Sequence, residues 1–146
     1  MEFWDLVSKK KLSELDMGEP IIAIRVTPKY FVVVLLHRTL CLEYAKNPET
    51  GTISPGKVKG LYHTAENQYG LCCISDHTLA LPGETPGQVQ VLTLSSKDKK
   101  VFKVHASALR QMALSKDGAV LATASVTVCN SSHIVPILAN NKLRAP

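Results

Sequence analysis

Three stretches decide the reading: Ile21-Ile22-Ala23-Ile24, Gly70-Leu71-Cys72-Cys73-Ile74 and Ala108-Leu109-Arg110-Gln111-Met112-Ala113-Leu114. Each opens an apolar run, passes a polar turn and enters a second run, YFVVVLL (Tyr30–Leu36), HTLALPG (His77–Gly83) or GAVLATAS (Gly118–Ser125). The starts lie roughly 50 and 40 residues apart, near the period of about 40–45 expected of four-stranded propeller blades. The longer first interval fits an insertion over Ala45–Lys59, which carries Pro48, Gly51, Pro55 and Gly56. A β-sandwich is the competing architecture for such a pattern.

Outward from these units the signal stays that of strands. Short runs rich in Val, Ile and Leu cover Ile21–Val26, Phe31–Leu36, Thr39–Tyr44, Gly70–Ser75, Thr78–Leu81, Gln88–Leu94, Val101–Val104, Leu109–Leu114 and Val120–Ala124. Turn formers separate them, among them Thr27-Pro28-Lys29, Pro82-Gly83, Pro86-Gly87 and Lys116-Asp117-Gly118. Several runs are apolar at consecutive positions, as in strands covered on both faces. Phe3-Trp4-Asp5 reads as a strand ending in a WD-type dipeptide, with Lys9–Leu15 leading to the next blade. Only Asp5–Leu15 offers any argument for a helix. The fold class expected is all-β, a WD40-type β-propeller fragment.

Composition narrows the function classes. The chain has 146 residues, 45% of them apolar and 20% charged, within the globular range and long enough for one ordinary domain. Aromatic residues make up 5%, so the core must be mainly aliphatic. The longest apolar run, Tyr30–Leu36, is far short of the roughly 20 residues of a bilayer-spanning helix. The opening MEFWDLVSKKKL has early acids and no apolar h-region, unlike a secretory signal. Four cysteines, none in a CxxC, suit reduced thiols in a cytosolic protein.

The net charge of +5 is unevenly placed. Residues 1–96 hold nine Lys/Arg against ten Asp/Glu, whereas residues 97–146 hold eight against two. The cluster runs from Lys97, Lys99, Lys100 and Lys103 to Arg110 and Lys116 and suits an anionic partner. It lacks interleaved aromatics, which argues against nucleic acid. The plain alternative is that Ser-Ser-Lys-Asp-Lys-Lys, 95–100, is a solvated loop.

Catalytic and metal chemistry find no support. His37, His63, His77 and His133 are scattered without ligand spacing, and the adjacent Cys72 and Cys73 face opposite sides of one strand. No GxSxG, P-loop or GxGxxG is present, and no cofactor is implied.

The strands also carry a resemblance. Pro82–Val91 (PGETPGQVQV) resembles the PG…GQVQV segment of the PROPPIN family, called WIPI proteins in animals. Val104–Ser125 (VHASALRQMALSKDGAVLATAS) is similar to that family's His-x-Ser…Asp-Gly…Leu-Ala-Thr-Ala-Ser block. Pro20–Arg25 with Phe31–Leu35, and Gly70-Leu71-Cys72, match two earlier strands in order and spacing. The resemblance covers residues 2–125. It implies a seven-bladed WD-type propeller that binds phosphatidylinositol 3-phosphate and the 3,5-bisphosphate. It implies recruitment of autophagy proteins, with no nucleic acid and no enzymatic activity. It places the protein in the cytoplasm, peripheral on preautophagosomal, endosomal or vacuolar membranes. A WD-repeat scaffold that binds proteins but no lipid is the alternative, because the family's partner contacts fall on early blades.

The resemblance further implies lipid contacts at His105, which opens its blade, and at Ser125, which ends the Leu-Ala-Thr-Ala-Ser strand. The competing role for His105 is to order the turn between blades, and for Ser125 that of a satisfied strand hydroxyl. The family's (F/L)RRG motif, expected roughly 40 residues beyond His105, does not occur in the sequence, so lipid binding is expected to be impaired. Residues 2–125 are expected to form about two full blades, with one strand before them and half a blade after, out of a ring of roughly 300 residues. The strand at Leu121–Ser125 is expected to have an unpaired edge. Residues 126–146 (VTVCNSSHIVPILANNKLRAP) are expected to be a divergent, disordered tail, read as foreign coding sequence or as the end of a short isoform.

Overall fold

In a computed structural model, residues 1–51, 53–125 and 133–136 are described. They form antiparallel sheets in chain order. A hairpin of β1 (Glu2–Asp5) and β2 (Lys10–Glu14) comes first. A four-stranded meander follows, of β3 (Ala23–Val26), β4 (Tyr30–Val34), β5 (Arg38–Lys46) and β6 (Ile53–His63). A second has β7 (Cys73–Ile74), β8 (Thr78–Pro82), β9 (Gln88–Thr93) and β10 (Lys99–Lys103). The last sheet has β11 (Leu109–Leu114), β12 (Val120–Ser125) and β13 (His133–Pro136). These are two complete blades of a WD40-type propeller between partial ones.

The repeat has a hydrogen-bond signature at its first turn. Thr27 Oγ1 accepts from Tyr30 N at 2.9 Å, Ser75 Oγ from Thr78 N at 3.1 Å and Ser115 Oγ from Val120 N at 2.9 Å. In each case the hydroxyl residue's own N–H also donates across the turn, to the carbonyl of Tyr30, Thr78 or Val120. A hydroxyl at this corner closes the turn locally, which is why Thr and Ser are used there.

Period-two alternation then sorts the apolar side chains into seams between blades. All five residues of β4 are buried. Val32 and Val34 face the second blade, where they join Cys41, Cys72, Leu79, Leu81, Leu92 and Leu94. Phe31 and Val33 face the β1–β2 hairpin and pack with Phe3, Leu15 and Tyr44. The Phe3 and Phe31 rings meet edge to face with centroids 5.1 Å apart. The second blade repeats the division, sending Ala80, Val89 and Val91 toward Leu109, Met112 and Leu121. Cys72 and Cys73 do lie on opposite sides of their strand, one in each of the second blade's seams.

Several sequence expectations are corrected. Lys10–Glu14 is a strand paired with β1, so two strands rather than one precede the first full blade, and the only candidate helix is absent among the described residues. The Ala45–Lys59 insertion is largely an extension of the β5–β6 hairpin, with Tyr44 opposite Pro55 and Ala45 opposite Ser54. The Lys run is only partly a loop, since Lys99 and Lys100 begin β10. Three strands, not half a blade, follow the second blade, and β13 pairs with β12 from Thr123↔His133 to Val120↔Pro136. The β12 edge is therefore covered by β13 from Val120 to Thr123 but not at Ala124 and Ser125, and within the expected tail His133–Pro136 forms a strand. The remainder of 126–146 lies outside the described residues.

Leu79 is fully buried in the seam between the two complete blades. Leu79→Ala is expected to lower stability by about 2–5 kcal/mol, read as a fall in the urea midpoint.

Candidate functional site

The segment that the resemblance singles out lies where the second blade meets the β11–β12 sheet. The turn from β8 to β9 is held by Gly83 N donating to Gln88 O at 2.8 Å and by Gln88 N donating to Thr85 O at 3.1 Å. Gly87 sits at φ +78°, and a Cβ there would come within 2.1 Å of His105 O and 2.8 Å of Ser107 O. Only glycine combines that dihedral with so close a backbone approach. The approach is made by hydrogen bonds, since Val104 N and His105 N both donate to Gly87 O, at 3.0 and 3.1 Å.

His105 is thus held by its backbone before its ring makes any contact. The ring is buried, with Nε2 3.0 Å from Thr123 Oγ1 on β12. Ser125 is two residues further along the same strand and therefore on the same face as Thr123. The fold brings the two sequence-selected residues to one end of one seam, with Thr123 between them. Imidazole and hydroxyl groups can all hydrogen-bond phosphate oxygens. His105 at the same time bridges the β10–β11 connection to β12, so the turn-ordering role weighed for it is present in the geometry.

Further polar contacts of the second blade were not legible in the sequence. Gln90, fully buried, donates from Nε2 to Pro82 O at 2.8 Å and, across the seam to the first complete blade, to His63 O at 2.7 Å. Asn67, also buried, folds the entry to β7 by donating to Leu71 O and accepting from Leu71 N, at 3.0 and 2.8 Å. Arg110 lies at the irregularity where β11 meets Ser125, and its guanidinium stacks 3.9 Å from the centre of the exposed Tyr69 ring. A pattern search for metal or catalytic spacing passes over all of these, because each partner is a backbone group or a residue remote in sequence.

Lys99, Lys100 and Lys103 of the basic cluster are on the outer strand β10. Lys99 pairs with Glu84 at 3.3 Å and Lys103 Nζ donates to Pro86 O at 2.6 Å, so part of the cluster braces the β8–β9 turn. Lysines on an outermost strand also discourage pairing with a foreign strand. No group of three His, Cys, Asp or Glu side chains able to hold a metal ion occurs among the described residues, nor does a helix long and apolar enough to cross a membrane.

No family model matches the sequence. Among curated proteins, the chain is similar to SVP1-like protein 2 of Neurospora crassa, with 35% identity over 122 residues, covering 84% of this chain and 27% of that protein. It is 38% identical over 126 residues to Autophagy-related protein 18e of Arabidopsis thaliana, covering 84% of this chain and 31% of that one. The chain spans about a third of the length of the curated relatives it matches. Its fold is similar to crystallised Hsv2 of Kluyveromyces marxianus, with a TM-score of 0.68 and 21% identity over 85% of this chain and 35% of that one. Hsv2 of Kluyveromyces lactis gives a TM-score of 0.66 at 19% identity, over 84% and 36% of the two chains.

Two outcomes follow from the seam chemistry. Thr123→Val keeps the side-chain shape but removes the partner of His105 Nε2, and is expected to cost about 1–3 kcal/mol in urea denaturation. Burial pushes the Cys72 thiol from 9.0 up to about 12 and the Cys41 thiol up to about 11. Below pH 9 both folded and unfolded chains keep these protons. Above it the unfolded chain releases them first, so stability falls as pH rises from about 9 toward 12. The urea midpoint of Cys41→Ala/Cys72→Ala should fall less than the wild-type midpoint over that range.

Proposed function

This chain belongs to the PROPPIN family of β-propellers, and we propose on that premise that it is a phosphoinositide-directed adaptor module of autophagy rather than an enzyme. Its ligand class is the headgroup of phosphatidylinositol 3-phosphate or 3,5-bisphosphate, with Ser125 and His105 as the contacts this chain supplies. The observation that carries the reading is the convergence of His105, Thr123 and Ser125 on one end of a single seam. A dense anion needs more than neutral donors. Paired arginines grip phosphate bidentately, and the 146 residues contain no Arg-Arg-Gly. The affinity of the chain by itself is therefore weak. The membranes concerned are preautophagosomal, endosomal or vacuolar, reached from the cytoplasm.

A second reading rests on Tyr69 and Arg110. An exposed Tyr ring under an Arg guanidinium joins two residue types enriched where proteins bind one another. It makes the early blades a protein-binding scaffold, with or without lipid.

Flotation with phosphatidylcholine vesicles, with and without phosphatidylinositol 3-phosphate, separates the two. The expected result is weak flotation that depends on the phosphoinositide and drops in Ser125→Ala. Equal flotation on both vesicles would leave the scaffold reading. Tight, phosphoinositide-specific binding would overturn the need for an arginine pair.

A further inference from the structure

The tip of the β1–β2 hairpin carries Leu6 and Val7 side by side, and they are 89% and 93% exposed. No other large apolar side chain among the described residues is as exposed; the next, Val26, stands at 64%. Neither residue helps to close the turn. Asp5 does that, with Oδ1 accepting from Val7 N at 2.9 Å and Oδ2 from Ser8 Oγ at 2.6 Å, and Lys9 completes it at φ +56°. Turns are ordinarily built from Gly, Asn, Asp, Ser and Pro, and a β-branched aliphatic at the apex brings no conformational advantage. The hairpin therefore presents two apolar side chains to solvent on an ordered turn.

Charge surrounds the pair asymmetrically. Lys11 is taken up by Glu2 and Glu14, at 2.8 and 2.6 Å. Lys9 and Lys10, next to the tip, are exposed and pair with no carboxylate among the described residues. Trp4, half exposed on β1, brings a ring whose Nε1 donates to Glu2 Oε2 at 3.1 Å. Aliphatic side chains, free lysines and an amphipathic indole on one narrow projection match the interfacial layer of an anionic bilayer. A protein partner fits less well, since a stable interface covers about 800 Å² per side and a two-residue tip offers a small part of that. A bilayer needs no such complementary surface.

We propose that the β1–β2 tip is a membrane-contact element, with Leu6 and Val7 entering the interfacial layer of an anionic bilayer and Lys9 and Lys10 engaging its headgroups. The inference rests on the reading of the chain as a peripheral membrane adaptor, but it needs only negative surface charge and no 3-phosphoinositide. Trp4 is the single tryptophan of the 146 residues, so its fluorescence reports on this hairpin alone.

The test uses the full chain with vesicles of phosphatidylcholine and phosphatidylserine, free of phosphoinositide. Co-sedimentation, a blue shift of Trp4 emission and its quenching by brominated acyl chains are expected, all weakened by salt. Leu6→Asp/Val7→Asp should lower the vesicle partition coefficient by about ten-fold or more, and Lys9→Glu/Lys10→Glu should lower it comparably. Both pairs are exposed, so unchanged far-ultraviolet circular dichroism is expected for each variant. Wild-type chain that neither sediments nor shifts would overturn the inference, as would an Asp double variant that binds like wild type. Because these vesicles lack phosphatidylinositol 3-phosphate, failure of the headgroup reading leaves this outcome unaffected.

Discussion

The constraint on which the structure depends is that the second strand of each blade is covered on both faces. In β4 the alternation Phe31, Val32, Val33, Val34 divides one strand between two seams, and none of the four is more than 1% exposed. A blade is thus not an independent core. Its apolar surface is buried only against the blades beside it, in the way repeat architectures propagate stability from neighbour to neighbour. The same dependence explains the exposed apolar surface on β3. The β1–β2 hairpin packs over Phe31 and Val33, while Ile24 and Val26, opposite Val33 and Phe31 in the register, stay 42% and 64% exposed.

Polar groups fix how the seams fit. Gln90 ties the first blade's His63 carbonyl to the second blade's Pro82 carbonyl, and His105 with Thr123 closes the next connection. Gly87 and Gly118 mark where backbone or side-chain atoms of a neighbouring blade come too close for a Cβ. Read this way, Gly-Gln-Val-Gln-Val is a structural motif with a role at each position. Its glycine admits the His105 backbone, its valines fill one seam, and its second glutamine reaches across the other. The residues that identify the family in sequence are largely those that register one blade on the next.

What was legible in the sequence follows from burial. The inner strands are apolar at consecutive positions because both faces are covered, and turn formers such as Thr27-Pro28-Lys29 and Lys116-Asp117-Gly118 bound them, so they could be read directly. The hydroxyl signature shared by Thr27, Ser75 and Ser115 emerged only in the fold. The outer strands could not be read directly. In β6, Val58 and Leu61 are exposed, and Pro55 and Gly56 read as a loop, yet an outermost strand tolerates proline because one edge donates to no partner. Gly56 is required there, since a Cβ would come within 2.4 Å of Glu43 O. In β2, Lys10, Lys11 and Glu14 hide the strand behind a polar composition that its pairing with β1 accounts for. Of the site, the resemblance found His105 and Ser125 and carried Thr123 and Gln90 in its quoted segments, while the contacts these two make and the Tyr69–Arg110 stack needed the fold, because the partners lie far away in the chain.

That difference bears on how His105 can be interrogated. Its ring is buried against Thr123 and its backbone is bound to Gly87, so a substitution there disturbs the seam whether or not a ligand is present. Loss of lipid binding in a His105 variant would by itself carry no information about contact with a headgroup. Ser125 is the better discriminator. It shares the face and the strand but is less buried, and truncating its hydroxyl leaves the Thr123 bridge and the Gly87 approach in place. A residue that holds the fold in this way is best interrogated through a neighbour on the same face whose truncation leaves the His105–Thr123 contact in place.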